Sequence, residues 1–77
     1  MVKLPLLTAR ELSNVLETAG FKRVRQKGSH VFFRHPDGRT TIVPNNPGEK
    51  LDRSLLDKII KKDMMLSREE FMKLMPR

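Results

Sequence analysis

Leu12, Val15, Leu16 and Ala19 recur at intervals of three and four, the spacing that lines one face of a helix. Thr8 and Glu11 precede this stripe as a T-x-x-E pair, in which each side chain satisfies the other residue's free backbone N–H. Leu7 and Leu12 stand where they can staple that turn. Gly20 falls where a left-handed residue closes a helix, and Phe21 can fold back on the last turn. The pattern predicts a helix over residues 9–19.

The period then shortens. Residues 22–27, 30–35 and 40–43 predict three strands. The first alternates poorly around Val24; the second is rich in β-formers, Val31, Phe32 and Phe33. Gly28-Ser29 and Pro36-Asp37-Gly38 read as turns, and Pro44 ends the third strand or marks an edge. Connections this short predict an antiparallel meander. After a polar loop, residues 45–50, a second helix is expected from Arg53, with Asp52 as N-cap. Leu55, Leu56, Ile59 and Ile60 would form its buried stripe, while Asp57, Lys58, Lys61 and Lys62 would face water. Ser67 and Glu70 repeat the capping box ahead of a short C-terminal helix with Phe71, Met72, Leu74 and Met75 on its apolar side. Met64, Met65, Met72 and Met75 read as adaptable core filling.

The implied fold class is α+β: α-β-β-β-α with a short C-terminal helix, a three-stranded antiparallel sheet, and helices on one face burying Leu12, Leu16, Leu56 and Ile59. The other face is left open. Adjacent strand residues point to opposite faces, so either Phe32 or Phe33 lies on it. Such a ring suggests contact with another chain or a base, or a ring shielded by Arg and Lys stems.

At 77 residues the chain is expected to form a single domain, 1–77, with a thin core that gains from a partner or from self-association. Without cysteine it can make neither a disulfide framework nor a thiolate zinc site. Its apolar runs are too short for a membrane span or a signal-peptide core, which points to a soluble, cytoplasmic protein. Charge changes the picture most. The formal net is +7, and residues 22–39 carry +5 of it through Lys22, Arg23, Arg25, Lys27, Arg34 and Arg39 against Asp37. Such a concentration attracts polyanions, and RNA is the expected partner.

The densest chemistry is Arg25-Gln26-Lys27-Gly28-Ser29-His30. Gly28 lets a phosphate approach backbone N–H groups, Ser29 adds a hydroxyl, and histidine suits proton transfer near neutrality. Cleavage of RNA without a metal needs a base for the 2′-OH, an acid for the leaving 5′-oxygen, and cations on the phosphate. His30 with Arg25 and Lys27 supplies part of that set. His35 is the poorer candidate, being five residues away and leading into a turn, with its ring directed to the other face. The two histidines share no metal site on this reading, and no phosphate-binding loop or nucleophile triad is present.

The stretch RQKGSHVFFRHPDGRTTIVPNNPGEKL, preceded by LSNVLETAGF and followed by LSREEF, closely resembles the HicA (YcfA-like) mRNA interferase toxins. The resemblance implies a double-stranded-RNA-binding-domain-like fold, endoribonuclease activity on mRNA, and neutralisation by a cognate HicB-like antitoxin. Its catalytic histidine lies in a G-S-H motif, which here is Gly28-Ser29-His30. Two positions depart from the pattern. Asn46 stands where members often carry a histidine, and the usual glycine between the last two helices is missing from Lys62-Asp63-Met64-Met65.

The sequence thus predicts a metal-independent endoribonuclease of toxin type, with no cofactor. His30 is its catalytic residue, and Arg23, Arg25, Lys27, Gly28, Ser29, Arg34 and Arg39 contact RNA. A non-catalytic module that reads A-form shape uses the same strands and needs no special histidine. A third reading makes the basic face a docking surface for an acidic antitoxin.

Overall fold

A computed structural model describes residues 4–75; residues 1–3 and 76–77 of the predicted 1–77 unit lie outside the described residues. The chain runs α1 (Ala9–Thr18), β1 (Lys22–Lys27), β2 (His30–Arg34), β3 (Thr40–Pro44), α2 (Arg53–Lys58) and α3 (Arg68–Leu74). The strands form one antiparallel sheet in the order β1-β2-β3.

The boundaries follow from local chemistry. In α1, Thr8 Oγ1 accepts from Glu11 N at 3.2 Å and Glu11 Oε1 accepts from Thr8 N at 2.9 Å. The same reciprocal pair, Ser67 with Glu70, opens α3. The Asp52 carboxylate accepts from Ser54 N and Leu55 N and so starts α2. Gly20, at φ +100°, ends the first helical segment, and Phe21 N then returns to Leu16 O at 2.9 Å.

Leu12, Leu16, Phe21, Phe33, Val43, Leu56, Ile59, Ile60, Met64 and Phe71 are all essentially inaccessible and belong to one apolar cluster. Val31, Phe33, Thr41 and Val43 supply the sheet's contribution, so the helices cover that face. The N-terminal segment is tied to the start of α2 by Leu51 N to Leu7 O and by Arg53 to Leu4 O. Among the described residues no helix is long and apolar enough to cross a membrane.

Three details differ from the sequence expectation. First, α2 does not continue as an α-helix. Residues Ile59–Asp63 form a π-helical turn in which Met64 N bonds Ile59 O, five residues back. Leu66 N then reaches Ile60 O, one residue further than an ordinary left-handed helix cap spans. Second, Asp57 does not simply face water. It is partly buried and pairs with Arg68 of α3 at 3.2 Å. Third, Met64 fills the core, whereas Met65 is 71% exposed at φ +58°.

Candidate nucleic-acid interface

The hairpin joining β1 and β2 is closed by the Lys27–His30 pair, leaving Gly28-Ser29 as a two-residue turn. Gly28 has φ +59° and Ser29 is not among the positive-φ residues, the signature of a type II′ turn with glycine first. A Cβ built on Gly28 meets nothing within 4 Å, so the turn backbone stands open to an approaching group. Gln26 Nε2 donates to Gly28 O at 3.1 Å, and Ser29 O accepts from Asn45 N, which fastens the turn to the segment after β3.

Register decides which side chains meet. His30 pairs with Pro44, Phe32 with Ile42 and Arg34 with Thr40, and these residues alternate with the buried Val31, Phe33, Thr41 and Val43. His30, Phe32, Arg34 and Ile42 therefore lie on the open face. On β1 the pairing slips: Arg23 faces Phe33, but Arg25 faces Phe32. Val24 is the extra residue of a β-bulge. The bulge changes the parity of the strand, so Arg25 and Lys27 join His30 while Arg23 does not. Arg25 carries its guanidinium 4.6 Å from the Phe32 ring centroid. Arg23 instead lies toward Phe33, 5.9 Å from that ring.

The predicted site residues thus divide. Lys27, Gly28, Ser29, His30, Phe32 and Ile42 line one shallow depression of about 470 Å³ on the open face. Arg34 lies farther along the same face beside Lys22 and Val24. Lys22, Val24, Phe32 and Ile42 were not among the predicted site residues; Lys22 belongs to the basic segment and Phe32 was one of two candidate outward rings, whereas no local sequence signal marks Val24 or Ile42. Arg39 is engaged elsewhere. Its Nε donates to Asp37 Oδ2 at 2.7 Å, its Nη1 donates to Met64 O, and its guanidinium lies 5.2 Å from the Phe21 centroid. It braces the β2–β3 turn against the end of the helical layer. The Asp37 carboxyl is held below its ordinary value, chiefly by the Arg39 backbone N–H and further by the Arg39 side chain.

His35 lies just past the end of β2, with its ring edge-on to Phe21 at 5.2 Å. Gly20 makes room for it, since a Cβ there would come within 2.8 Å of Nε2. Its Nδ1 stands 3.1 Å from Asp37 N and 3.0 Å from Asp37 Oδ1. A neutral ring accepts from the first, and an imidazolium donates to the second. Asn46 does not line the depression that holds His30. It lines a larger cleft of about 610 Å³, on the helix side, with Arg10, Asn14, Arg23 and Asn45. Among the described residues no three His, Cys, Asp or Glu side chains converge as a metal site.

The open face thus offers proton-transfer chemistry, cations and apolar surface together, with no carboxylate among its described strand residues. A comparison with curated proteins gives no match. The family model for the HicA toxin of bacterial toxin–antitoxin systems matches residues 9–63, from the start of α1 to the end of the π turn. That match spans more than half of the chain, and membership implies a cognate antitoxin as partner. The chain belongs to the HicA toxin family.

Proposed function

We propose that this protein is the toxin of a type II toxin–antitoxin pair, a cytoplasmic endoribonuclease that cleaves mRNA without a metal, with His30 as its single catalytic residue. The observation that carries the reading is the placement of His30. It is exposed on the open face, beside the Gly28-Ser29 turn and opposite Lys27. Arg25 and Arg34 extend the cationic surface along the strands.

In this mechanism the scissile phosphate lies against the turn. Lys27 and Arg25 offset its charge, and the Gly28 and Ser29 N–H groups and the Ser29 hydroxyl orient it. The ribose 2′-oxygen attacks phosphorus as its proton leaves, and the P–O5′ bond breaks with protonation of the 5′-oxygen. His30 carries out one of the two proton transfers, and solvent water carries out the other. A positioned side chain contributes about 10²–10⁴-fold in such a role. The antitoxin would silence the enzyme by covering this face.

His30→Ala is expected to lose at least about 100-fold in cleavage rate. Its stability, read from thermal melting, should change by no more than about 0.5 kcal/mol, because the ring is exposed. His35→Ala should retain cleavage and growth arrest. Full toxicity of a folded His30→Ala variant on induction would assign the face to RNA binding without catalysis. Cleavage abolished by EDTA and restored by Mg²⁺, with contaminating nuclease excluded, would overturn metal independence.

A further inference from the structure

We propose that the open sheet face selects unpaired RNA, with one base lying on Phe32. This rests on the RNA binding proposed above, though not on the cleavage step. Phe32 occupies the centre of the sheet and is only partly buried. Ile42 is paired with it on one side and is 45% exposed. The bulge presents Val24, 57% exposed, on the other side. Each of the three strands thus contributes one apolar side chain to this face, Phe32 and Ile42 in one depression and Val24 in the adjoining one. Cations flank these side chains toward both strand ends, Lys22 and Arg34 at one and Lys27 at the other.

Neither half of this surface explains the other if the ligand is a duplex. A duplex presents phosphates and riboses while its bases stay stacked inside, and such a surface gains little from Phe, Ile and Val. An unpaired nucleotide presents both a π face and a phosphate, which these apolar side chains and their cationic flanks match. Phe32 is two residues from His30 and two from Arg34, about 6.6 Å along the strand in each direction. A base on Phe32 therefore leaves one phosphate within reach of His30 and Lys27, and the next within reach of Arg34 and Lys22. Arg25 holds its guanidinium 4.6 Å from the ring centroid, so the base takes the part of the ring that Arg25 leaves open, and the Arg25 charge stays beside the phosphate at Lys27.

The chain has neither tryptophan nor tyrosine, so Phe32→Trp places a single indole at the proposed contact. The probes are a single-stranded 2′-O-methyl oligonucleotide, which cannot react through its 2′-oxygen, and the same sequence annealed to its complement. The single strand should quench the indole, and the duplex should not. Phe32→Ala and Phe32→Leu, checked for folding by circular dichroism, should each bind the single strand about ten-fold or more weakly and leave duplex binding unchanged. Leu matters because it keeps apolar bulk and removes only the π face. Equal affinity of the wild type for both forms would overturn the proposal in favour of shape recognition. Absence of quenching by any nucleic acid would overturn it in favour of a protein-docking face. Unmodified RNA is tested for cleavage by the wild type in parallel. Quenching without cleavage refutes the ribonuclease reading and supports this one; cleavage without quenching does the reverse.

Discussion

Met65 carries a full side chain in the left-handed backbone region, at φ +58°. Outside glycine that conformation costs roughly 1–2 kcal/mol. The side chain is largely exposed, so little packing compensates for it. A glycine there would remove the strain and return about 0.5–1 kcal/mol of it as extra freedom in the unfolded chain. Met65→Gly should therefore raise stability by about 0.5–1 kcal/mol, read as a higher urea midpoint at unchanged slope. Gly20 is the opposite case. At φ +100°, with His35 Nε2 only 2.8 Å from any added Cβ, Gly20→Ala has both strain and a clash to absorb. It should lower stability by about 1–3 kcal/mol, measured in the same titration.

At the scale of elements, the capping boxes that open α1 and α3 each contain a glutamate that accepts its backbone hydrogen bond more strongly when ionised. Glu11 is held below its ordinary value of 4.5 first by the Thr8 backbone N–H, and Glu70 likewise by that of Ser67. A depressed folded-state pKa contributes stability above the unfolded value, and that contribution disappears as pH falls through the folded one. The melting temperature should thus hold from pH 7 to about 5 and decline below about 4.5 as these groups take up protons. Glutamine accepts the same bond without titrating, so Glu11→Gln with Glu70→Gln should make that acid decline shallower. These caps were legible in the sequence because a capping box is a local pattern of four residues. The strand order was legible as well, because short turns leave few alternatives. The bulge at Val24 and the π turn at Ile59–Asp63 were not. Each inserts one residue into a periodic element, and the weak alternation around Val24 does not by itself show where the insertion lies. The cost to the site prediction was specific. Arg23, Arg25 and Lys27 are evenly spaced and were all expected to contact RNA, yet the inserted residue separates the first from the other two.

For the molecule as a whole, the basic surface is better described by its sidedness than by its total. Lys22, Arg25, Lys27 and Arg34 share the open face, whereas Arg23 faces the helix side and Arg39 is held by Asp37 and Met64. Four phosphate contacts on a single strand predict a slope of about −3 in log K against log salt. Filter binding across a salt series should show Arg25→Ala or Lys27→Ala making that slope shallower by about 0.7. Arg23→Ala should leave it unchanged. Arg39→Ala should also leave the slope unchanged, while lowering the melting temperature. A uniform effect of all four substitutions would mean that charge is read without regard to its position. The sequence disclosed that the segment was basic and that one phenylalanine must face outward. It could not disclose that Arg39 is committed to the β2–β3 turn, because its partner Met64 O lies 25 residues away.

The bulge also bears on how this chain can vary in length. Deleting a residue from a regular strand turns every following side chain to the opposite face. Here Arg23 already faces Phe33 and Arg25 already faces Phe32, with Val24 supernumerary between them. Excision of Val24 would join two residues whose partners are already neighbours, leaving an unbroken ladder. Arg25, Lys27 and His30 would keep their orientation, and the sheet would lose only one apolar side chain and some of its twist. A chain lacking Val24 should thus still fold, with a cooperative melting transition, although deletions are ordinarily accepted only in loops.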